Sequence, residues 1–162
     1  MKEKIKKKED LYKKVEDLKK KGKRIVFTNG CFDLLHLGHI RYLEEARRLG
    51  DILVVGVNSD RSVRNLKGPK RPILHEEERA EILSSLGSVD FVIVFDEPTP
   101  FELISSLLPH VLVKGGDWTK ENIVGKEVVE RSGGEVVLLP FVEGSSTSNL
   151  IETILKRYEK RN

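Results

Sequence analysis

His36 and His39 stand three residues apart with Gly38 between them. They follow the apolar run Arg24-Ile25-Val26-Phe27-Thr28 and the turn Asn29-Gly30-Cys31-Phe32-Asp33. A helical pattern begins at about Gly38, with Ile40, Leu43, Ala46 and Leu49 spaced by three. The histidines therefore fall at a strand-to-helix turn. A helix start offers free backbone N–H groups and partial positive charge, which suits phosphate. Two imidazoles there add donors aimed at phosphate oxygens, and Gly38 lets a ligand approach the backbone. That is equipment for stabilising charge on a transferring phosphoryl group. Two His at this spacing also suit zinc, but no Cys or carboxylate set completes a ligand pattern.

Other polar segments follow apolar runs in the same way. Asn58-Ser59-Asp60 follows Ile52 to Val57, and Lys114-Gly115-Gly116-Asp117 follows Val111 to Val113. Gly144-Ser145-Ser146-Thr147 comes after Glu135 to Leu139. Phe91 to Phe95 makes a further strand, so about five are predicted. Helices are predicted from about His75 to Leu86, Pro100 to Leu107 and Lys120 to Arg131, with a last one after Thr147. Residues 61–74 carry Gly68, Pro69 and Pro72 and read as mostly loop. Strand and helix alternate throughout, which implies an α/β fold: a Rossmann-like, doubly wound parallel sheet with helices on both faces. In such sheets ligands sit at the carboxyl ends of strands, near a topological switch point. The polar loops converge on that edge.

Residues 1–22 form a separate feature, a basic helical arm ahead of a domain over 23–162. Leu11, Val15 and Leu18 recur at helical spacing among Lys and Glu, and Gly22 ends the pattern. Residues 1–24 carry a net charge of +7, so the remainder of this +3 chain carries −4. The basic character belongs to the arm, reads as a solvated face or a packing surface, and does not predict nucleic-acid binding. Cys31 is the single cysteine, so no intrachain disulfide forms. No run approaches the roughly 20 apolar residues of a membrane span, and no signal-peptide core is present. A cytoplasmic location is expected.

The run Asn29 to His39 resembles the signature of the cytidylyltransferase-like nucleotidyltransferases, the HxGH type. Val57 to Asp60, Leu66-Lys67-Gly68, Arg71-Pro72, Val113 to Asp117, Gly133 to Val136 and Gly144 to Thr147 are similar to the heptose 1-phosphate adenylyltransferase branch. The likeness covers about residues 22–157, and without a kinase domain it looks like the stand-alone form of an activity often joined to one. It implies transfer of AMP from ATP to D-glycero-β-D-manno-heptose 1-phosphate, a step toward the lipopolysaccharide core. It also implies Mg2+ riding on ATP, and a homodimer.

The resemblance implies roles residue by residue. His36 and His39 contact the phosphates and the pentavalent transition state, and Lys67 closes over them. Thr28, Asn29, Gly30, Phe32 and Gly38 shape the nucleotide loop, while Lys114, Gly116 and Asp117 reach nucleotide or sugar phosphate. Ser146 and Thr147 receive the triphosphate, and Asp33, Asn58, Asp60 and Arg79 face the acceptor. Each has a plainer reading: Lys67 as a solvated loop residue, Arg79 in a surface ion pair, Lys114 snorkelling, and Ser146 as an N-cap. One departure stands out. Related glycerol-phosphate cytidylyltransferases carry an Arg shortly before the Gly-x-Ser-Thr turn, whereas Pro140-Phe141-Val142-Glu143 has no cation. Lys67, Lys70 or Lys114 must then meet that charge. A cytidylyltransferase acting on a polyol phosphate and a non-catalytic nucleotide-binding module remain the alternatives.

Overall fold

A computed structural model describes residues 2–116, 119, 122–140, 144 and 146–159. Five parallel strands form one sheet: β1 (Ile25–Gly30), β2 (Ile52–Asn58), β3 (Phe91–Phe95), β4 (Val111–Gly115) and β5 (Glu135–Leu139). Their order is β3-β2-β1-β4-β5. Crossovers run outward in both directions from β1, so the switch point lies between β1 and β4. In the register of that central region, Val26 faces Leu53 on one side and Val111 on the other.

Alternation along the strands builds two cores. Ile25, Phe27, Val54, Ile93, Phe95 and Leu112 point to one face. They pack there with α1 (Lys8–Lys20), α5 (Phe101–Leu107) and α6 (Lys126–Arg131). Val26, Leu53, Val55, Val57, Val111 and Val113 point to the other, under α2 (Leu37–Arg48) and α4 (Glu76–Ser85). These β-branched and aliphatic strands are buried on both faces, as a doubly wound sheet requires. The fold is Rossmann-like.

Two helical expectations are corrected. Residues 61–74 are not mostly loop, because α3 spans Asp60–Lys67. Ser59 caps it by accepting from the Ser62 N–H, and Val63 is fully buried. A short helix with one apolar anchor has too little periodicity to stand out beside Gly68, Pro69 and Pro72. The helix predicted from Lys120 begins only at Lys126, behind Gly125 at φ +84°. A Cβ on Gly125 would come within 2.7 Å of Ile104, so both backbone and packing call for glycine there.

The N-terminal segment lies on the domain itself. Leu11 and Val15 sit in the first core. Ile5 bridges Val92 beside β3, and the Lys6 N–H donates to the Val92 carbonyl at 2.9 Å. Lys19 Nζ donates to the Leu107 and Leu108 carbonyls at the end of α5. Lys8 pairs with Glu97 and Glu102. Several of the arm's lysines thus bond to the domain.

Candidate active site

β1 delivers the chain to the C-terminal edge at Gly30, and α2 carries it away from Leu37. His36 is the N-cap of α2, in extended conformation, and its side chain makes no capping bond. The His39 N–H donates to the His36 carbonyl at 3.0 Å. Leu37 and Gly38 precede the first N–H that donates within the helix, so their own N–H groups have no intrahelical acceptor. The two imidazoles stack, with centroids 3.8 Å apart and planes 26° apart. Phe32 backs His39 at 5.3 Å. It holds φ +45°, unusual for a bulky residue, and its ring lies where a Cβ on Gly30 would approach to 3.1 Å. Gly30 is small because that ring occupies the space.

Both imidazoles are poised neutral. Burial, then the neighbouring His36, pushes the His39 pKa down to about 4. Burial also lowers His36. Neither Nδ1 has a hydrogen-bond partner among the described residues. A neutral ring carries one N–H, so each histidine can still donate one hydrogen bond.

Behind the histidines, Thr28 and Tyr42 join hydroxyls at 2.7 Å, tying α2 to β1. Across the switch point, Lys114 at the end of β4 donates to the Asn29 side chain at the end of β1. Burial pulls the Lys114 pKa down to about 8. The Gly116 N–H is engaged with the Leu139 carbonyl at 2.8 Å, and Gly116 adopts φ +46°. Asp117 lies outside the described residues. From the last helix, α7 (Thr147–Tyr158), Thr147 Oγ1 donates to the Leu34 carbonyl at 3.1 Å. Ser146 caps that helix through the Asn149 N–H. A second helix start therefore abuts the histidine loop.

The residues expected to face the acceptor are differently engaged. The Asp33 carboxylate accepts from Arg71 Nε at 2.5 Å and from the N–H groups of Ile73 and Leu74 at 2.8 and 3.0 Å. The Arg79 side chain is fully buried and reaches four acceptors. They are the carbonyls of Leu74, Cys31 and Asn58, at 3.0, 2.7 and 2.7 Å, and Asp60 Oδ1 at 2.8 Å. Asn58 Nδ2 donates to Ser62 Oγ, and Asp60 also meets His75 Nδ1 at 3.0 Å. These four side chains hold the scaffold and one another. Arg79 is no surface ion pair; helix α4 buries it because its fork satisfies acceptors from three segments at once.

Lys67, at the end of α3, is exposed. Burial raises the Cys31 thiol's pKa, and Lys67 pulls hardest against it, ahead of Arg79 and Arg71. Lys67 thus lies beside the histidine loop. Tyr42 and Arg71 were the residues that motif reading left without a role. Tyr42 had a signal, three residues beyond His39 on the same helix face. Arg71 stood in the Arg71-Pro72 segment of the resemblance, but its partner, 38 residues away, could not be read from spacing.

Among the described residues no three His, Cys, Asp or Glu side chains group to hold a metal. The histidines stack against each other instead of converging on an ion. These donors do not fit a protein-held cation.

The family model for cytidylyltransferase-like proteins matches residues 27–153, which include the histidine loop, the switch point and the start of α7. The chain belongs to this cytidylyltransferase-like family. Its sequence is 58% identical over 157 residues to the bifunctional protein HldE of Syntrophotalea carbinolica, covering 97% of this chain. It is 61% identical over 140 residues to the bifunctional protein HldE of Geobacter sulfurreducens, covering 86% of this chain. The chain spans 32% and 29% of those proteins, about a third of their length. A lipopolysaccharide core biosynthesis protein from Thermoplasma volcanium superposes with a TM-score of 0.64 at 32% identity. The match covers 76% of this chain and all of that one. No described helix is long and apolar enough to cross a membrane.

Proposed function

We propose that the chain transfers AMP from ATP to D-glycero-β-D-manno-heptose 1-phosphate, yielding ADP-heptose and pyrophosphate. The observation that carries the reading is the neutral His36–His39 stack at the mouth of α2, with the start of α7 alongside and Lys114 across the switch point. The choice of heptose phosphate as acceptor draws on the resemblance of the Lys-Gly-Gly-Asp and Gly-x-Ser-Thr segments. It draws also on the likeness to HldE and to the core biosynthesis protein.

A phosphate oxygen of the sugar phosphate attacks the α-phosphorus in line, and the bond to the pyrophosphate oxygen breaks. The attacking phosphate is already ionised at neutral pH, so no general base is required. Catalysis is alignment plus stabilisation of charge on the pentavalent phosphorus. His36 and His39 donate to the phosphoryl oxygens, and the N–H groups at the start of α2 add their dipole. Lys114 and Lys67 supply positive charge from either side of the loop. Ser146 and Thr147 receive the outer phosphates at the start of α7. Asp33, Asn58, Asp60 and Arg79 hold these groups in place. Magnesium would arrive with ATP and would supply charge neutralisation on its phosphates. A reaction that consumes ATP belongs in the cytoplasm.

A substrate panel tests the assignment. ATP, CTP, GTP and UTP are each paired with heptose 1-phosphate and with glycerol 3-phosphate, and pyrophosphate release is followed. Release with ATP and heptose 1-phosphate is expected. Release confined to CTP and glycerol 3-phosphate overturns it. Binding of nucleotide without release in any pair marks a non-catalytic module.

A further inference from the structure

The histidines stand on a stretch with no regular structure, residues 31–36, between β1 and α2. Such a stretch keeps its shape only through ties from outside. Thr147 ties the Leu34 carbonyl, and Asp33 is tied to the 71–74 segment. Arg79 ties the Cys31 carbonyl to the end of β2 at Asn58, the start of α3 at Asp60, and the entry to α4 at Leu74. Burying a guanidinium is costly, so it persists only where nearly every N–H finds an acceptor. Arg79 meets that condition. Lysine would not, because a single ammonium cannot span acceptors spread as widely as a planar fork.

We propose that Arg79 and Arg71 are positioning residues that clamp the histidine loop to the α3–α4 connection, so that His36 and Lys67 are held as one body. This inference rests on the adenylyl-transfer reading for its kinetic consequence and on geometry for the clamp. Neither arginine need touch a substrate. Arg79 acts through the Cys31 carbonyl and Arg71 through the Asp33 carboxylate.

Cys31 is the chain's single cysteine and lies inside the clamped loop, half-buried, so labelling by a disulfide reagent reports on this loop and on no other segment. Electrostatics predicts the opposite sign. Both arginines pull the Cys31 pKa down against burial, so removing either disfavours the thiolate and slows labelling. Faster labelling therefore means the loop has opened.

The experiment uses the full chain with Arg79→Met, in the absence of substrate for labelling and with substrate for turnover. Cys31 labelling is expected to accelerate about tenfold or more. kcat is expected to fall about 100-fold, with KM for ATP changed less than about threefold. A folded Arg79→Met protein that labels at the wild-type rate, or turns over at the wild-type kcat, overturns the proposal. Should that variant not fold, Arg71→Met carries the same test, since the Arg71 side chain is 15% exposed and tolerates truncation better. Labelling about threefold faster with reduced kcat is then expected, and no change in either overturns the clamp. Failure of the functional assignment looks different. The wild-type chain would then release no pyrophosphate from ATP and heptose 1-phosphate, while labelling still decides the clamp.

Discussion

The rings of His36 and His39 lie 3.8 Å apart, close enough that two imidazolium charges would repel one another. Burial and that proximity keep the pair neutral in the free protein. A polyphosphate reverses the balance, because an anion beside a ring favours its proton. ATP binding at pH about 5.5 to 6 is therefore expected to take up protons. Calorimetric titration in buffers of differing ionisation enthalpy measures the uptake. His39→Gln should diminish it. Binding with no uptake would mean the phosphates lie elsewhere.

Alanine at either histidine is expected to cut kcat by about 100- to 1,000-fold, the usual cost of losing one oxyanion donor. The dissociation constant for ATP should move by less than about tenfold, since the lost bond strengthens in the transition state. Stopped-flow pyrophosphate release and ATP titration check the two halves. Unaltered kcat in both variants would remove the histidines from the mechanism.

His39 also makes stability depend on pH. Its folded pKa is about 4 against an ordinary 6.5. Between those values the unfolded chain binds the proton and the native chain does not, so stability falls as pH drops through that window. Above about pH 7 this group contributes no slope. Urea midpoints should decline more steeply for the wild type than for His39→Gln as pH is lowered from 7 to 4. Parallel curves would count against a buried, neutral His39.

Lys114 separates function from stability. Burial lowers its pKa to about 8, which says the charged form is held at a net cost. Lys114→Met is expected to keep or raise Tm while lowering kcat/KM by about 100-fold, the pattern of a side chain retained for activity. In the wild type kcat/KM should fall as pH rises through about 8, and that step should vanish in the variant. A lower Tm with full activity would reverse the reading.

Lys67 provides the contrast. It is exposed, so Lys67→Ala should change unfolding free energy by no more than about 0.5 kcal/mol. A drop in kcat/KM of about tenfold or more is expected, since its charge acts beside the histidine loop. Equal kcat/KM in the variant would leave Lys67 a solvated residue.

Much of the architecture was readable along the chain. Runs such as Phe91 to Phe95 and Glu135 to Leu139 mark strands to the residue, because short, mostly apolar runs between polar turns suit a parallel sheet covered by helices. His36-Leu37-Gly38-His39 after such a run already placed both histidines at a strand-to-helix turn, where α2 begins at Leu37. Local periodicity and local turn chemistry carry that information. Strand order, which puts β1 beside β4 and so brings Asn29 against Lys114, came only with the tertiary structure. So did the internal partners of Asp33 and Arg79, and the docking of Leu11 and Val15 in the core. Those outcomes depend on partners far apart in the chain. Residue type and spacing say that a charge needs a partner, but only chain folding decides whether that partner is a substrate or the protein itself.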